Sequence, residues 1–319
     1  MWAMAQRSWE KNLPLERVEL PDPVPVRNEV RVRVRAAGVN PVDWKMREQG
    51  PLRLAARLVG PPPPVVVGVD FAGTVDAVGP AVTGVRVGDA VVGGTDFSRG
   101  QRGSTADTVR VRADQVCVLP PGFDLVTAAA LPVAGVTAWT CVVELGRVRG
   151  GDRVLVLGAS GGVGQLAVQV ARLQGALVTS VCSARNAELV RSLGADTVLD
   201  YGAGDALEQA RAQAPFRAVI DCVGGYSGPR CRALLGPGGR HVLVAGDTPS
   251  AWLDLLRAPL TSTTVLGRPT GARLRPLVDA VASGALRVNV VERIPLAEVE
   301  RAHALSRAGR TAGKIVLVV

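Results

Sequence analysis

The chain of 319 residues is 47% hydrophobic and 20% charged, which excludes a disordered polymer and exceeds what one hydrophobic core usually covers, so two domains are expected. Its net charge of +9 raises nucleic acid as a partner, but the arginines are spread singly and aromatics make up only 3%, too few for base-stacking platforms. The opening MWAMAQRSWEKNLPLERVEL lacks a secretory apolar segment and no apolar run reaches membrane-spanning length, so a cytoplasmic protein without a membrane partner is expected.

The first third reads as β. In EVRVRVRAAGV, Val30, Val32 and Val34 alternate with Arg31, Arg33 and Arg35, the period of a strand with one wet face. The stretch VVVGVDFAGTVDAVGPAVTGVRVGDAVVGG continues with short β-prone runs broken by glycine and proline, which suggests a small barrel. GPPPP at 60–64 reads as a stiff surface loop.

From about residue 126 the pattern changes. Apolar runs at Val154–Leu157, Leu177–Cys182, Thr197–Leu199, Ala218–Ile220 and His241–Val244 alternate with helical stretches, the grammar of a parallel sheet with crossover helices. The run STTVLG, between 261 and 267, supplies a sixth strand candidate. The closing PLAEVERAHALSRAGRTAGKIVLVV reads as an amphipathic helix followed by a strand. Five scattered cysteines, Cys117, Cys141, Cys182, Cys222 and Cys231, show neither C-x-x-C spacing nor nearby histidines and read as small buried hydrophobes.

The chemistry concentrates in VLVLGASGGVGQLAVQVARLQGALV. After the strand candidate, glycines recur at 158, 161, 162 and 164, and then Val163, Leu166, Ala167, Val170, Ala171 and Leu173 share one helical face, with Gln165, Gln169, Arg172 and Gln174 opposite. A side chain at Gly161 or Gly162 would hold a pyrophosphate off the backbone amides, and Gly164 would let helix and strand pack closely. A protein that prefers NAD places Asp or Glu about 20 residues further on. Here VTSVCSARNAELV has no carboxylate at Cys182, Ser183 or Ala184, and Arg185 follows. Arg185 with the Ser183 hydroxyl would welcome a 2′-phosphate, so NADPH is the expected cofactor. The competing reading has Ser183 capping the next helix and Arg185 solvated.

These residues together resemble the medium-chain dehydrogenase/reductase superfamily, in its zinc-independent, quinone-oxidoreductase-like branch. The resemblance spans nearly the whole chain through AAGVNPVDWKMREQG, GVDFAGTVDAVG, VRVGDAVVGG, AALPVAGVTAW, GASGGVG, the SARN, LGAD and LDY runs, DCVGG and GKIVLVV. It implies an α/β fold: a GroES-like β-barrel domain, residues 1–125 completed by 268–319, and a Rossmann doubly wound parallel sheet, residues 126–267. Zinc alcohol dehydrogenases of the superfamily place a Cys near the first glycine-rich bend, a His-Glu pair, and a further Cys or Glu. Those regions here read GVNPVD, GVDFAG and ALPVAG, so no metal is expected.

The resemblance also implies site residues. Asn40 and Thr137 would border the nicotinamide ribose and ring. Gly158, Ser160, Gly161, Gly162 and Val163 would meet the pyrophosphate, and Ser183, Arg185 and Tyr201 the adenosine phosphate. Val223 and Val244, Ala245 and Gly246 would line the nicotinamide side, with Lys314 closing over the cofactor. Without a metal to stabilise an alkoxide, hydride addition to a conjugated carbonyl (quinone, enone or enoyl thioester) fits better than alcohol oxidation. Pro41 stands where related enoyl reductases often carry a tyrosine, which leaves Lys45 and Asp43 as the ionisable candidates beside Asn40. Lys45, kept in a chain dominated by arginine, is the candidate proton donor. Two alternatives remain: a tailoring reductase of an imine or polyketide intermediate, and a non-catalytic NADPH-binding structural or RNA-associated protein. Relatives commonly pair sheets edge to edge, so a homodimer through the STTVLG strand is expected.

Overall fold

The computed structural model describes residues 1–11, 13–48, 50–244, 256–265, 267–309 and 311–319. In chain order its strands are β1 (Trp2–Gln6), β2 (Glu16–Glu19), β3 (Glu29–Gly38), β4 (Val65–Val66), β5 (Asp70–Val78), β6 (Ala90–Gly94), β7 (Thr108–Arg112) and β8 (Val116–Val118). There follow β9 (Arg153–Leu157), β10 (Leu177–Cys182), β11 (Thr197–Asp200), β12 (Phe216–Asp221), β13 (Leu235–Leu243), β14 (Ser262–Thr264), β15 (Val290–Pro295) and β16 (Lys314–Val318). They divide between two compact units, Met1–Val136 with Arg268–Gly284 and Val290–Val319, and Thr137–Gly267 with Ala285–Asn289.

The first unit is the GroES-like part. Its larger sheet runs β15-β16-β3-β5-β6-β8, with β7 also on β3, and a smaller sheet runs β2-β1-β4. β3 is the strand that the alternation predicts: Val30, Val32 and Val34 are buried in the core with Phe71, Val91, Val111, Ile315 and Leu317. Its outward arginines are not simply solvated. Arg31 and Arg33 each place Nε 2.7 Å from one oxygen of Asp76 on the neighbouring β5, so part of the basic surface is neutralised on the sheet itself.

The second unit is a six-stranded parallel sheet in the order β11-β10-β9-β12-β13-β14. Counting from β9 this is 3-2-1-4-5-6, the doubly wound order, and its switch point lies between β9 and β12. Every predicted strand is present, the sixth as β14 on the sheet edge. Leu155, Leu157, Val181, Phe216 and Val219 make its core.

The boundaries depart from those expected. The first unit runs past 125 to Val136 because Asp70, at the start of β5, accepts the Val133 N–H at 2.9 Å and holds the helix Pro132–Trp139 by its first turn. The five residues Ala285–Asn289 go with the second unit, held by two glutamines placed above opposite the apolar helical face. Gln165 and Gln169 are buried. Gln169 bonds both the N–H and the carbonyl of Arg287 at 2.9 Å, and Gln165 Oε1 accepts the Asn289 N–H at 3.2 Å. Their amides act as a strand edge for the passing backbone, which a hydrophobic period cannot reveal.

Candidate functional site

The glycine turn leaves β9 through Gly158 at φ +78°, a conformation that favours glycine. The Gly158 and Ala159 N–H groups donate to Val181 O at 3.0 and 2.9 Å, fixing the turn to β10. The helix Gly162–Leu173 then begins, and its first backward bond is Gln165 N–H to Gly161 O at 3.0 Å. The N–H groups of Gly162, Val163 and Gly164 therefore precede the helical ladder and head outward. A Cβ on Gly164 would lie 2.2 Å from Gly158 O, so that glycine serves packing. A Cβ on Gly161 would meet nothing closer than Gly158 O at 3.4 Å. The protein's own packing does not require glycine there, whereas a closely approaching phosphate does. This cradle fits a dinucleotide pyrophosphate.

Around the turn the structure gathers several of the other expected residues of the second unit. Ser160 Oγ accepts from Asn186 Nδ2 at 3.0 Å, which ties the turn to the end of β10. Ser183 opens the short helix Ala184–Asn186, but its hydroxyl makes no capping bond; the capping bond is its carbonyl's, from Asn186 N–H at 2.9 Å. Arg185 in that helix is exposed. Asp200, at the end of β11, takes the Ala184 and Gly202 N–H groups on Oδ1 at 3.1 and 2.9 Å. It thereby brings the exposed Tyr201 to the same sheet end. On the other side of the switch point, buried Asp221 takes the Val223 and Gly224 N–H groups on Oδ1, both at 2.9 Å. Burial pushes the Asp221 carboxyl up, and those two N–H groups oppose the shift. Val223 is thereby turned outward against Gly158. Val244 N–H bonds Asp221 O at 2.9 Å. Thr137 is buried against Gly267. Ala245 and Gly246 lie outside the described residues.

The remaining candidates belong to the first unit, where they form one buried network. Asn40 Nδ2 donates to Asp70 Oδ2 at 2.8 Å, and Asn40 Oδ1 accepts from Lys314 Nζ at 2.6 Å. Lys314 Nζ also donates to Val39 O at 3.0 Å and lies 3.7 Å from Asp70 Oδ2. Asp43 Oδ2 accepts the Asn40 N–H at 2.8 Å. Its Oδ1 has no donor at hydrogen-bond geometry among the described residues, with the Val69 N–H acting from a poorer one. Burial pushes the Asp43 carboxyl up to about 8 and that of Asp70 to about 6, the Lys314 ammonium working against both shifts. Burial also lowers Lys314, with Asp70 and Asp43 opposing. The Lys314 side chain is 4% exposed, so it faces into this unit. Lys45, on the helix Pro41–Glu48, is half-buried with its ammonium 5.7 Å from the Trp44 ring centre.

Four residues were not legible as site residues. Asp70, Asp200 and Asp221 each hold backbone N–H groups that shape a turn or helix end, and Asn186 clips the glycine turn. A lone acid inside an apolar strand run, as in VVVGVDFAG or AVIDCVGG, was the available signal for two of them.

A GroES-like unit and a doubly wound sheet with a phosphate-cradling turn, in one chain, define the medium-chain class of nicotinamide-dependent oxidoreductases. Residues 26–121 match the alcohol dehydrogenase GroES-like domain family and residues 193–317 the zinc-binding dehydrogenase family. The chain is 33% identical to a chloroplast envelope quinone oxidoreductase homolog of Arabidopsis thaliana, across 95% of this chain and 93% of that one. It is 38% identical to the mitochondrial NAD(P)H oxidoreductase RTN4IP1 of Homo sapiens over 62% of this chain and 52% of that one. The structure of the quinone oxidoreductase from Coxiella burnetii superposes with a TM-score of 0.89 at 30% identity, covering 100% of this chain and 99% of that one. The chain belongs to the medium-chain dehydrogenase/reductase superfamily, in its quinone-oxidoreductase-like branch.

The second family description implies zinc. The segments GVNPVD, GVDFAG and ALPVAG do converge, through Asn40, Asp43, Asp70 and the Val133 N–H. They offer amide and carboxylate oxygens around an ammonium, with neither thiolate nor imidazole. That donor set does not fit zinc. Among the described residues no group of three or more His, Cys, Asp or Glu is placed to hold a metal.

Proposed function

We propose that this protein is a zinc-independent, NADPH-dependent oxidoreductase that reduces a conjugated carbonyl compound: a quinone, an enone or an enoyl thioester. The observation that carries the reading is the end of β10, where Ser183 and exposed Arg185 follow the strand without a carboxylate of their own and are clipped by Asn186 to the glycine turn. Gly158, Ser160, Gly161, Gly162 and Val163 hold the pyrophosphate, Ser183, Arg185 and Tyr201 the adenosine phosphate, and Thr137, Val223 and Val244 the nicotinamide end. Asn40, whose amide is engaged on both sides, acts through the first-unit network and not as a free donor.

When bound, the reduced nicotinamide supplies a hydride to the β-carbon of the acceptor. The electron pair displaced from the double bond then reaches the carbonyl oxygen as an enolate, and a proton must arrive at the α-carbon or that oxygen. We assign this proton to Lys45 or to an ordered water. The quinone oxidoreductase relatives support this acceptor class.

Asp200 favours a second reading, NADH, because it brings a carboxylate beside Ala184 from β11. The deciding experiment follows NADPH and NADH consumption across quinones, enones, enoyl thioesters, saturated aldehydes and imines, before and after exhaustive chelation. Chelation-resistant NADPH oxidation on a conjugated acceptor is expected. Turnover confined to saturated aldehydes or imines would replace the double-bond reading with that of a tailoring reductase, and no turnover at all would leave a binding protein.

A further inference from the structure

The ammonium of Lys314 sits in a place that ordinarily disfavours a charged amine. Moving an ammonium out of water costs several kcal/mol unless paired charges and hydrogen bonds replace the lost solvation. Here three kinds of oxygen replace it: the Val39 carbonyl at 3.0 Å, the Asn40 amide oxygen at 2.6 Å and the Asp70 carboxylate at 3.7 Å. The Asp43 carboxylate, buried in the same network, adds its field. This ligand list is oxygen only, mixed carbonyl and carboxylate, which is what hard cations take.

The residue type is informative as well. Of the 37 basic residues only three are lysines, Lys11, Lys45 and Lys314. The buried cation is thus the compact point charge and not the planar guanidinium used nearly everywhere else. A small oxygen-lined site has room for the former.

We propose that Lys314 is the built-in cation of this site: its ammonium supplies the positive charge that the converging segments Gly38–Asp43, Gly68–Gly73 and Ala130–Gly135 require, and it keeps an oxygen-lined cation site closed to metal ions. The inference does not depend on the acceptor or nucleotide assigned above, and it is read from metal binding and folding, not from turnover.

The test uses Mn²⁺ as the probe, with free ion followed by its paramagnetic resonance signal and stability by thermal unfolding. The unaltered chain should bind no Mn²⁺ at this site. Lys314→Ala should bind one Mn²⁺ per chain and unfold at a higher temperature with the ion than without it. Adding Asp70→Asn to that variant should weaken Mn²⁺ binding at least tenfold. Stoichiometric Mn²⁺ on the unaltered chain, lost with Asp70→Asn, or a folded Lys314→Ala that takes up none, overturns the proposal. If Lys314→Ala folds neither with nor without Mn²⁺, the charge-matched pair Lys314→Met with Asp70→Asn decides. Recovery of folding in the pair supports the electrostatic role, and failure to recover overturns it.

Discussion

Gly161 and Gly164 stand three positions apart in one turn and should fail in different ways when given a methyl group. At Gly164 the new carbon meets a backbone oxygen at 2.2 Å, which cannot rotate away, so Gly164→Ala should lose about 1–3 kcal/mol of stability. At Gly161 the space is open and φ is −74°. Gly161→Ala should therefore keep the unfolding midpoint while weakening the nucleotide about tenfold or more, about 1.4 kcal/mol. Calorimetry beside nucleotide titration separates the two, and equal thermal losses would count against the cradle. Arg185→Ala should weaken NADPH by about 1.5–3 kcal/mol, the worth of a charge-assisted bond, with NADH nearly unchanged. Equal losses for both nucleotides would remove the assigned contact. If Lys45 donates the proton, Lys45→Met should lower turnover about 10²–10⁴-fold at unchanged NADPH affinity. Near-normal turnover on a working substrate would assign the step to water.

At the scale of elements, the helix Val299–Ala308 is fastened to the helix Pro41–Glu48 by a charge cluster built on buried Arg47 and His303 with the more exposed Glu300. Arg47 meets Glu300 at 2.7 Å, Gln6 at 3.1 Å, Leu13 O at 2.8 Å and His303 Nδ1 at 3.2 Å. Burial, then the neighbouring Arg47, lowers His303 from 6.5 to about 4, Glu300 opposing and Arg307 adding to the shift. Between those values the unfolded imidazole holds a proton that the folded one refuses. Stability is therefore present above pH 6.5 and falls towards pH 4, by up to about 1.4 kcal/mol per pH unit. The lowered Glu300 carboxyl acts in the same direction at the acid end. The raised Asp43 and Asp70 carboxyls act in the opposite direction over the same range, so the His303 share is read as a difference. The denaturant midpoint of His303→Gln should gain on that of the unaltered chain as pH falls from 7 to 4, and a difference that stays constant would place the acid sensitivity elsewhere.

What could be read in advance follows from how far apart the interacting residues lie. The glycine turn and the six parallel strands are local signals, each written within a few residues, and all were legible. The first-unit network is not local. Asn40 is 30 residues from Asp70 and 274 from Lys314, so Asn40, Asp43 and Lys314 could be singled out separately while their meeting at Asp70 could not. Gln165 and Gln169 misled for a related reason: a polar residue on a helix can be buried when it has a backbone to serve, and that backbone arrives more than 100 residues later.

For the molecule as a whole, β14 is the exposed question. Among the described residues it closes one end of the second sheet and pairs with β13 alone, and such an edge is the sort that a second copy covers. A homodimer is expected by sedimentation at micromolar concentration, and a monomer there would count against pairing through this strand.

The place of β16 between β15 and β3 carries a consequence for how the protein is made. A ribosome releases residues in order, so the end of β3 at residues 36–38, beyond the stretch that β7 covers, waits with one flank bare until residues 314–318 emerge, while the second unit, nearly continuous from 137 to 267, can fold long before. A chain halted late in synthesis would carry a finished nucleotide-binding sheet beside an unfinished barrel, with Asp70 and Asn40 lacking their cation. The same few residues complete the sheet and neutralise the buried acids, so a truncated copy fails on both counts and presents an open strand edge to the cell's chaperones and proteases.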